Sequence, residues 1–360
     1  MPISISTYDG QSSESMTRLA NDIGEALSSA AASYVDEDDG LRHGETGPLR
    51  IDPIDDLIGI DPSVHRQINA ALAAGLKHIM LYGPPGTGKT TIAQRLAGAI
   101  SERWKLVTGS SDWTSQEIVG GYHPLSDGRL MFQPGVLLEH FDKPVIFDEL
   151  NRCDIDKVLG PLFTVLSGQS TTLPYLTDPS DAASPRIQIL PKGIPEPPVR
   201  YAPSPSWRLI ATINSIDKAS LYQMSYALTR RFAWIFVPVP ANTSQFVEAF
   251  AHGNKSDNDN ALGTIWSEVN QIREIGAAPV IDIIRLVQAV KPEFNFAGNE
   301  LTQNDAQLIG DGLEVCMMPM LDGILRDEGE RLAESLCLAL STGGADFCDR
   351  IRRRLMERTV

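Results

Sequence analysis

Read for the spacing of apolar positions, the chain divides into three parts. Residues 1–52 are polar and acidic. A weakly amphipathic stretch over 15–34 precedes the charged run Val35-Asp-Glu-Asp-Asp-Gly40, predicting a short helix on a mostly flexible leader. Between 53 and 240, apolar runs at 78–82, 106–108, 145–147 and 209–213 alternate with helical patterning, the first helix starting near Lys89. This alternation predicts an α/β domain, a parallel sheet sandwiched by helices. From 241 to 360 the period turns helical, with Ile265, Val269 and Ile272, then Ile281, Ile284, Leu286 and Val287, forming stripes. A small all-helical domain is expected there.

Two interruptions break the α/β pattern. Over 117–135, Asp127-Gly128 lies between strand-like residues and predicts an inserted hairpin. Over 171–206 there are nine prolines, which exclude helix and predict an extended excursion that leaves the compact core and returns. The run 254–260, NKSDNDN, reads as a flexible loop.

Composition narrows the chemistry. The chain is 42% hydrophobic and 21% charged, so 360 residues can bury a sizeable core. A net charge of -15 argues against a nonspecific grip on nucleic acid or anionic lipid. The apolar runs are too short to span a bilayer and the first residues are too polar for a secretory signal, which predicts a cytoplasmic protein. Cys153, Cys316, Cys337 and Cys348 lie far apart with neither CxxC nor Cys/His pairing, so reduced thiols are expected rather than zinc ligands or a disulfide framework.

The first chemical signal follows the 78–82 strand at once: Gly83, Pro84, Pro85, Gly86, Thr87, Gly88, Lys89, Thr90 and then Thr91. The order GxxxxGK[ST] between a strand and a helix curls backbone amides around phosphate oxygens and adds the positive end of the helix dipole. Lys89 is placed to reach the β- and γ-phosphates and Thr90 to offer a hydroxyl to Mg²⁺. A tight turn needs the glycines but does not need a Lys-Thr pair at that register. The run 145–149 ends in Asp148 and Glu149. Alone it reads as a strand finishing in a solvated turn; beside a phosphate loop, Asp148 is the expected metal-water acceptor and Glu149 the base for an attacking water. The strand over 207–214 ends in Asn214, expected as a polar sensor of the γ-phosphate or the lytic water rather than a simple turn cap. Arg230 and Arg231, beside Phe232, are candidates to stabilise phosphoryl charge in a neighbouring subunit's site.

The order of these motifs resembles the AAA+ ATPases of the MoxR and McrB (dynein-related) branch, over about residues 53–240. The segments that carry the resemblance are 57–90 (LIGIDPSVHRQINAALAAGLKHIMLYGPPGTGKT), 117–137, IFDELNR at 146–152 and ATINSIDKASLYQMSYALTRRF at 211–232. It implies an AAA+ core with a helical lid, an ATP (or GTP) and Mg²⁺ requirement, and a homo-hexamer or other ring acting on a separate protein effector. That effector would be a von Willebrand-type protein, a nuclease or a metalloenzyme. It also implies base contacts from Ile58 and Gly59, and a pore-facing role for the hairpin at Asp127-Gly128. A GTP-driven motor of a McrC-like nuclease is the alternative suggested by Asn214, Asp217 and Lys218; a nucleotide-gated scaffold is another. One departure stands out: the lid position where MoxR-like chains carry a sensor arginine is Val280, with Arg285 more than one turn later.

Overall fold

A strand buried on both faces is apolar at nearly every position, and within the central strands the exception that stands out is Thr212 of the 209–214 strand. The computed structural model describes residues 50–51, 57–215, 224–253, 259–297 and 301–360. The expected helix at 15–34, the Asp217-Lys218 pair and most of the 254–260 loop lie outside the described residues.

The strands are β1 (Ile79–Gly83), β2 (Lys105–Thr108), β3 (Gly120–Pro124), β4 (Leu130–Pro134), β5 (Val145–Asp148), β6 (Thr171–Leu176), β7 (Arg186–Ile189), β8 (Arg200–Tyr201), β9 (Leu209–Asn214) and β10 (Ala233–Phe236). Five of them form one parallel sheet in the order β10-β1-β9-β5-β2. Four of the five match the apolar runs of the sequence to within a residue or so. The fifth, β10, did not figure among the expected strands. Its residues AWIF lie beside β1, pairing Ile79 with Ala233 and Tyr82 with Phe236.

The longer helices are α1 (Pro62–Ala73), α2 (Lys89–Ile100), α3 (Thr243–His252), α4 (Ala261–Ile272), α5 (Ala277–Val290), α6 (Gln303–Gly312), α7 (Arg326–Ala339) and α8 (Ala345–Met356). Alternation along the strands sends side chains to two layers. Ile79, Leu81, Ile146, Ile210 and Ile235 pack with Val64 and Ile68 of α1 and Ile92 and Leu96 of α2. Met80, Phe147, Leu209, Ala211 and Ile213 face the opposite layer, built from Leu137, Leu150, Val158 and Leu162. At the sheet's N-terminal edge, His78 accepts the Leu209 amide on Nδ1 at 3.0 Å and packs edge-on against Trp207. Burial, with Arg208 and Lys77 nearby, pulls its pKa down to about 3, so the ring is neutral with its proton on Nε2.

The 117–135 segment is an antiparallel hairpin, β3 against β4, closed by a turn in which Asp127 accepts from the Arg129 amide. The proline-rich excursion differs from expectation. It is extended, but β6, β7 and β8 form a separate three-stranded sheet that buries Leu173, Ile187, Ile189 and Tyr201 in the same core as Phe132 of the hairpin. Tyr122 ties the two together, its hydroxyl accepting the Leu176 amide at 2.6 Å. Proline blocks helix and central-strand pairing but leaves alternate residues free to bury their side chains, so the segment returns to the core rather than leaving it.

Beyond Pro240, α3 to α8 surround a separate core around Trp266, whose indole N–H donates to Ile275 O at 2.7 Å. Among the described residues no helix is long and apolar enough to cross a membrane, and no cluster of three or more His, Cys, Asp or Glu is placed to hold a metal ion. The four cysteines are free thiols.

Candidate active site

Because the sheet is parallel, β1, β5 and β9 end at one edge, and the candidate residues arrive there in register. Gly83 pairs with Asn214, and Asp148 closes β5 one strand further on. The loop 83–88 leads straight into α2. Gly88, at φ 85°, caps that helix without a side-chain acceptor, so the first amides of α2 turn into the loop with no side chain to satisfy them. Gly83, Pro84 and Thr87 are buried, Pro85 and Gly86 half-buried. The Thr87 hydroxyl holds the loop by donating to Pro84 O at 3.0 Å. Lys89 is folded into the loop, donating to Pro84 O at 2.6 Å and Gly83 O at 3.0 Å. Burial lowers its pKa to about 8 against the opposing pull of Asp148 and Glu149. A phosphate in the loop would restore the stability of that charge, so amides, dipole and cation all fit a polyphosphate. Thr91 is half-buried in the first turn of α2.

On the acidic side, Asp148 Oδ1 accepts from the Thr90 hydroxyl at 2.6 Å and from the Thr212 hydroxyl at 2.7 Å. Two oxygens at that separation fit adjacent positions around a hard, oxygen-seeking cation. The amide of Glu149 donates to Thr212 Oγ1 at 2.9 Å. Glu149 itself is left-handed, φ 52° and ψ 47°, the one non-glycine residue with positive φ among the described residues. Such a backbone costs of order 1–3 kcal/mol and persists only where neighbours enforce it. Gly109 is one of them: its amide donates to Asp148 O at 2.7 Å, and a Cβ there would stand 2.3 Å from Glu149 O. The Glu149 carboxylate receives Asn214 Nδ2 at 3.3 Å and Arg152 Nε at 2.5 Å.

Thr212, Gly109 and Arg152 were missed in the sequence. Thr212 left a faint signal, one hydroxyl inside the apolar strand LIATIN. Gly109 follows β2 directly, and Arg152 lies three residues beyond Glu149.

The helical domain caps the loop through its backbone. The Gly276 amide donates to Pro85 O at 2.8 Å and the Ala278 amide to Gly86 O at 3.2 Å, and a Cβ on Gly276 would stand 2.3 Å from the Gly86 carbonyl carbon. Val280 points the other way, wholly buried in the helical core. Arg285 is exposed, pairing with Asp282 at 3.5 Å and lying over Phe250, so it does not replace a sensor arginine at the loop in this conformation. Ile58 is exposed; at Gly59 (φ 79°) a side chain would meet Phe246 of α3, and Ile60 packs against Gly88. The 58–60 segment thus runs between the 83–88 loop and the helical domain.

Arg230 and Arg231 are not brought to this edge. They precede Ala233, which donates its amide to His78 O at the N-terminal end of β1. The length of β1, about 13 Å at 3.3 Å per residue, separates them from the loop. The two also differ from each other: Arg230 is exposed, whereas Arg231 donates to Phe163 O at 2.9 Å and lies over the Phe163 ring.

Residues 78–232 match the family described as AAA domain (dynein-related subfamily). Among curated proteins the chain is similar to the type IV methyl-directed restriction enzyme EcoKMcrB subunit of Escherichia coli (strain K12). That match is 25% identical over 216 residues, 55% of this chain and 43% of that one. It is 31% identical over 98 residues to protein MoxR of Paracoccus denitrificans, covering 27% of this chain and 28% of MoxR. It is 27% identical over 135 residues to the Holliday junction branch migration complex subunit RuvB of Prochlorococcus marinus (strain MIT 9301), covering 34% and 36%. The matched stretches span less than half the length of each of these relatives.

Proposed function

The chain belongs, through residues 78–232, to the AAA+ ATPases of the dynein-related branch that includes MoxR and McrB, and from that premise we propose that it is a Mg²⁺-dependent, ring-forming ATPase of the cytoplasm that remodels or activates a partner protein. The single observation that carries the reading is the convergence of Lys89, Thr90, Asp148, Glu149, Thr212 and Asn214 at one edge of one sheet.

In this reading the amides of 83–88 and Lys89 hold the phosphates, and Ile58 and Gly59 border the base. Thr90 and Asp148 would hold a Mg²⁺ ion, directly or through water, and the ion would supply positive charge to the phosphates. Asn214 orients a water in line with the γ-phosphorus, and Glu149 takes its proton as the oxygen attacks and the bond to the bridging oxygen breaks. Arg230, out of reach of its own loop, supplies positive charge to the site of the next subunit. That geometry supports a ring, a homo-hexamer by family analogy, with hydrolysis at the contact between subunits. The effector class remains the set named from the resemblance: a von Willebrand-type protein, a nuclease or a metalloenzyme.

Glu149→Gln keeps shape and removes the base. Steady-state phosphate release should fall by about 10²-fold or more while binding of a labelled Mg²⁺-nucleotide is retained; undiminished release would overturn the assignment of Glu149. A GTP-driven motor is the second reading, favoured because the McrB match extends over 216 residues against 98 for MoxR. Turnover of ATP and GTP measured side by side separates the two.

A further inference from the structure

At the N-terminal edge of the main sheet, away from the phosphate loop, lies a groove of about 1430 Å³. Leu76, Leu166 and Tyr226 give it an accessible apolar lining over the buried Phe141 and Trp207, and the segment 191–197, with Ile194 83% exposed, forms one wall. Lys77, Lys192, Arg230 and Arg231 stand around it against two acids, Glu139 and Asp142. Asp142 is already paired with Lys143 at 3.5 Å. The groove is therefore basic in a chain whose net charge is -15.

We propose that this groove takes the chain's own leader, residues 16–39, docked in cis. The leader carries the matching chemistry in matching order: Met16, Leu19, Ile23 and Leu27 at three- and four-residue spacing, then Asp36, Glu37, Asp38 and Asp39. Apolar side chains meet Leu76, Ile194 and Tyr226 while the acidic run meets the lysines and arginines. The point of attachment suits this arrangement. Ile51 is fixed to α1 by Asn69, which accepts the Ile51 amide at 2.8 Å and donates to its carbonyl at 3.0 Å. From Asn69 the helix needs about 9 Å, at 1.5 Å per residue, to reach Gly75 on the groove rim. Residues 40–51 can span up to about 36 Å, so the acidic run reaches the groove without strain. A tether of that length holds the leader at a high effective concentration, and modest contacts suffice to seat it. Seated there, the leader covers Arg230 and withholds it from a neighbouring subunit. That consequence rests on the proposed function; the docking itself does not.

The test uses the full chain without nucleotide, with a photo-crosslinking amino acid at Ile194, in an equal mixture of isotopically heavy and light protein. The expected result is crosslinked peptides from 16–39, heavy joined to heavy and light to light only. The D36K/E37K/D38K/D39K variant should lose about fivefold or more of that product, as the loss of several exposed ion pairs of modest strength implies. Adding K77E/K192E should restore it. Heavy-to-light products would assign the groove to a second copy, and crosslinks confined to other peptides, or a yield indifferent to both charge changes, would equally overturn the proposal. Failure of any of these leaves the hydrolysis measurement on Glu149→Gln unaffected, so the two readings fail separately.

Discussion

Thr212 links the two acidic residues: its hydroxyl donates to Asp148 Oδ1 at 2.7 Å and accepts the amide of Glu149 at 2.9 Å. One side chain thus orients the expected metal-side carboxylate and fixes the left-handed backbone of the expected base. Thr212→Val, which keeps the shape and deletes both bonds, should destabilise the fold by about 1–3 kcal/mol because it leaves the partly buried Glu149 amide without its acceptor. It should also lower turnover more than it weakens nucleotide binding. Thr212→Ser should recover most of both, as read by urea unfolding and phosphate release.

That relationship marks the limit of what could be read from the sequence. Gly83 to Thr91 and the Asp148-Glu149 pair are contiguous motifs, each flanked by its own strand, so their types and order mark them as candidates without knowledge of neighbours. Thr212 and Gly109 act across strands, and their roles depend on the register that places β9 and β2 on either side of β5. No local pattern encodes that register. The same reasoning applies to Gly276, whose bond to Pro85 joins two domains, and to the proline-rich segment, whose buried residues became visible only when β6 and β7 paired. For β10 the local signal was the short apolar run AWIFV ahead of Pro238.

Lys89 predicts a pH dependence of binding. Its pKa in the free protein is lowered to about 8, chiefly by burial, and a phosphate stabilises the charged form. Affinity for a nonhydrolysable Mg²⁺-nucleotide should then be full below pH 8 and fall above it. Between pH 7 and 9 the loss should be about tenfold. Calorimetric titration at the two values checks this, and a flat profile would contradict the buried, partly desolvated ammonium.

His78 predicts a pH dependence of stability. Its folded pKa of about 3 lies far below the ordinary value near 6.5, so between those values the unfolded chain binds a proton that the folded chain refuses. The stability it allows is full above pH 6.5 and lost as pH falls. From pH 7.5 to 5.5 the loss attributable to His78 is about 1.4 kcal/mol. In His78→Asn, whose amide oxygen can still accept the Leu209 N–H, the difference between the two pH values should shrink by that amount in urea titrations, whatever the variant's absolute stability.

The two arginines should separate. Arg231 is held by Phe163 O and its ring, so Arg231→Ala should lower stability by about 0.5–2 kcal/mol. Arg230 is exposed, and Arg230→Ala should leave the melting temperature unchanged within about a degree while abolishing most turnover.

Mixing two inactive variants tests whether hydrolysis is shared between subunits. Lys89→Ala lacks the loop cation and Arg230→Ala lacks the residue offered to the neighbour, so each alone should be nearly inactive. Combined in equal amounts and allowed to exchange, they should regain about a quarter of the unmutated rate, since an Arg230→Ala subunit with an intact loop is active wherever a Lys89→Ala neighbour supplies Arg230. Activity that stays at the level of the separate variants at every ratio, from subunits shown to exchange, would contradict a site completed by its neighbour.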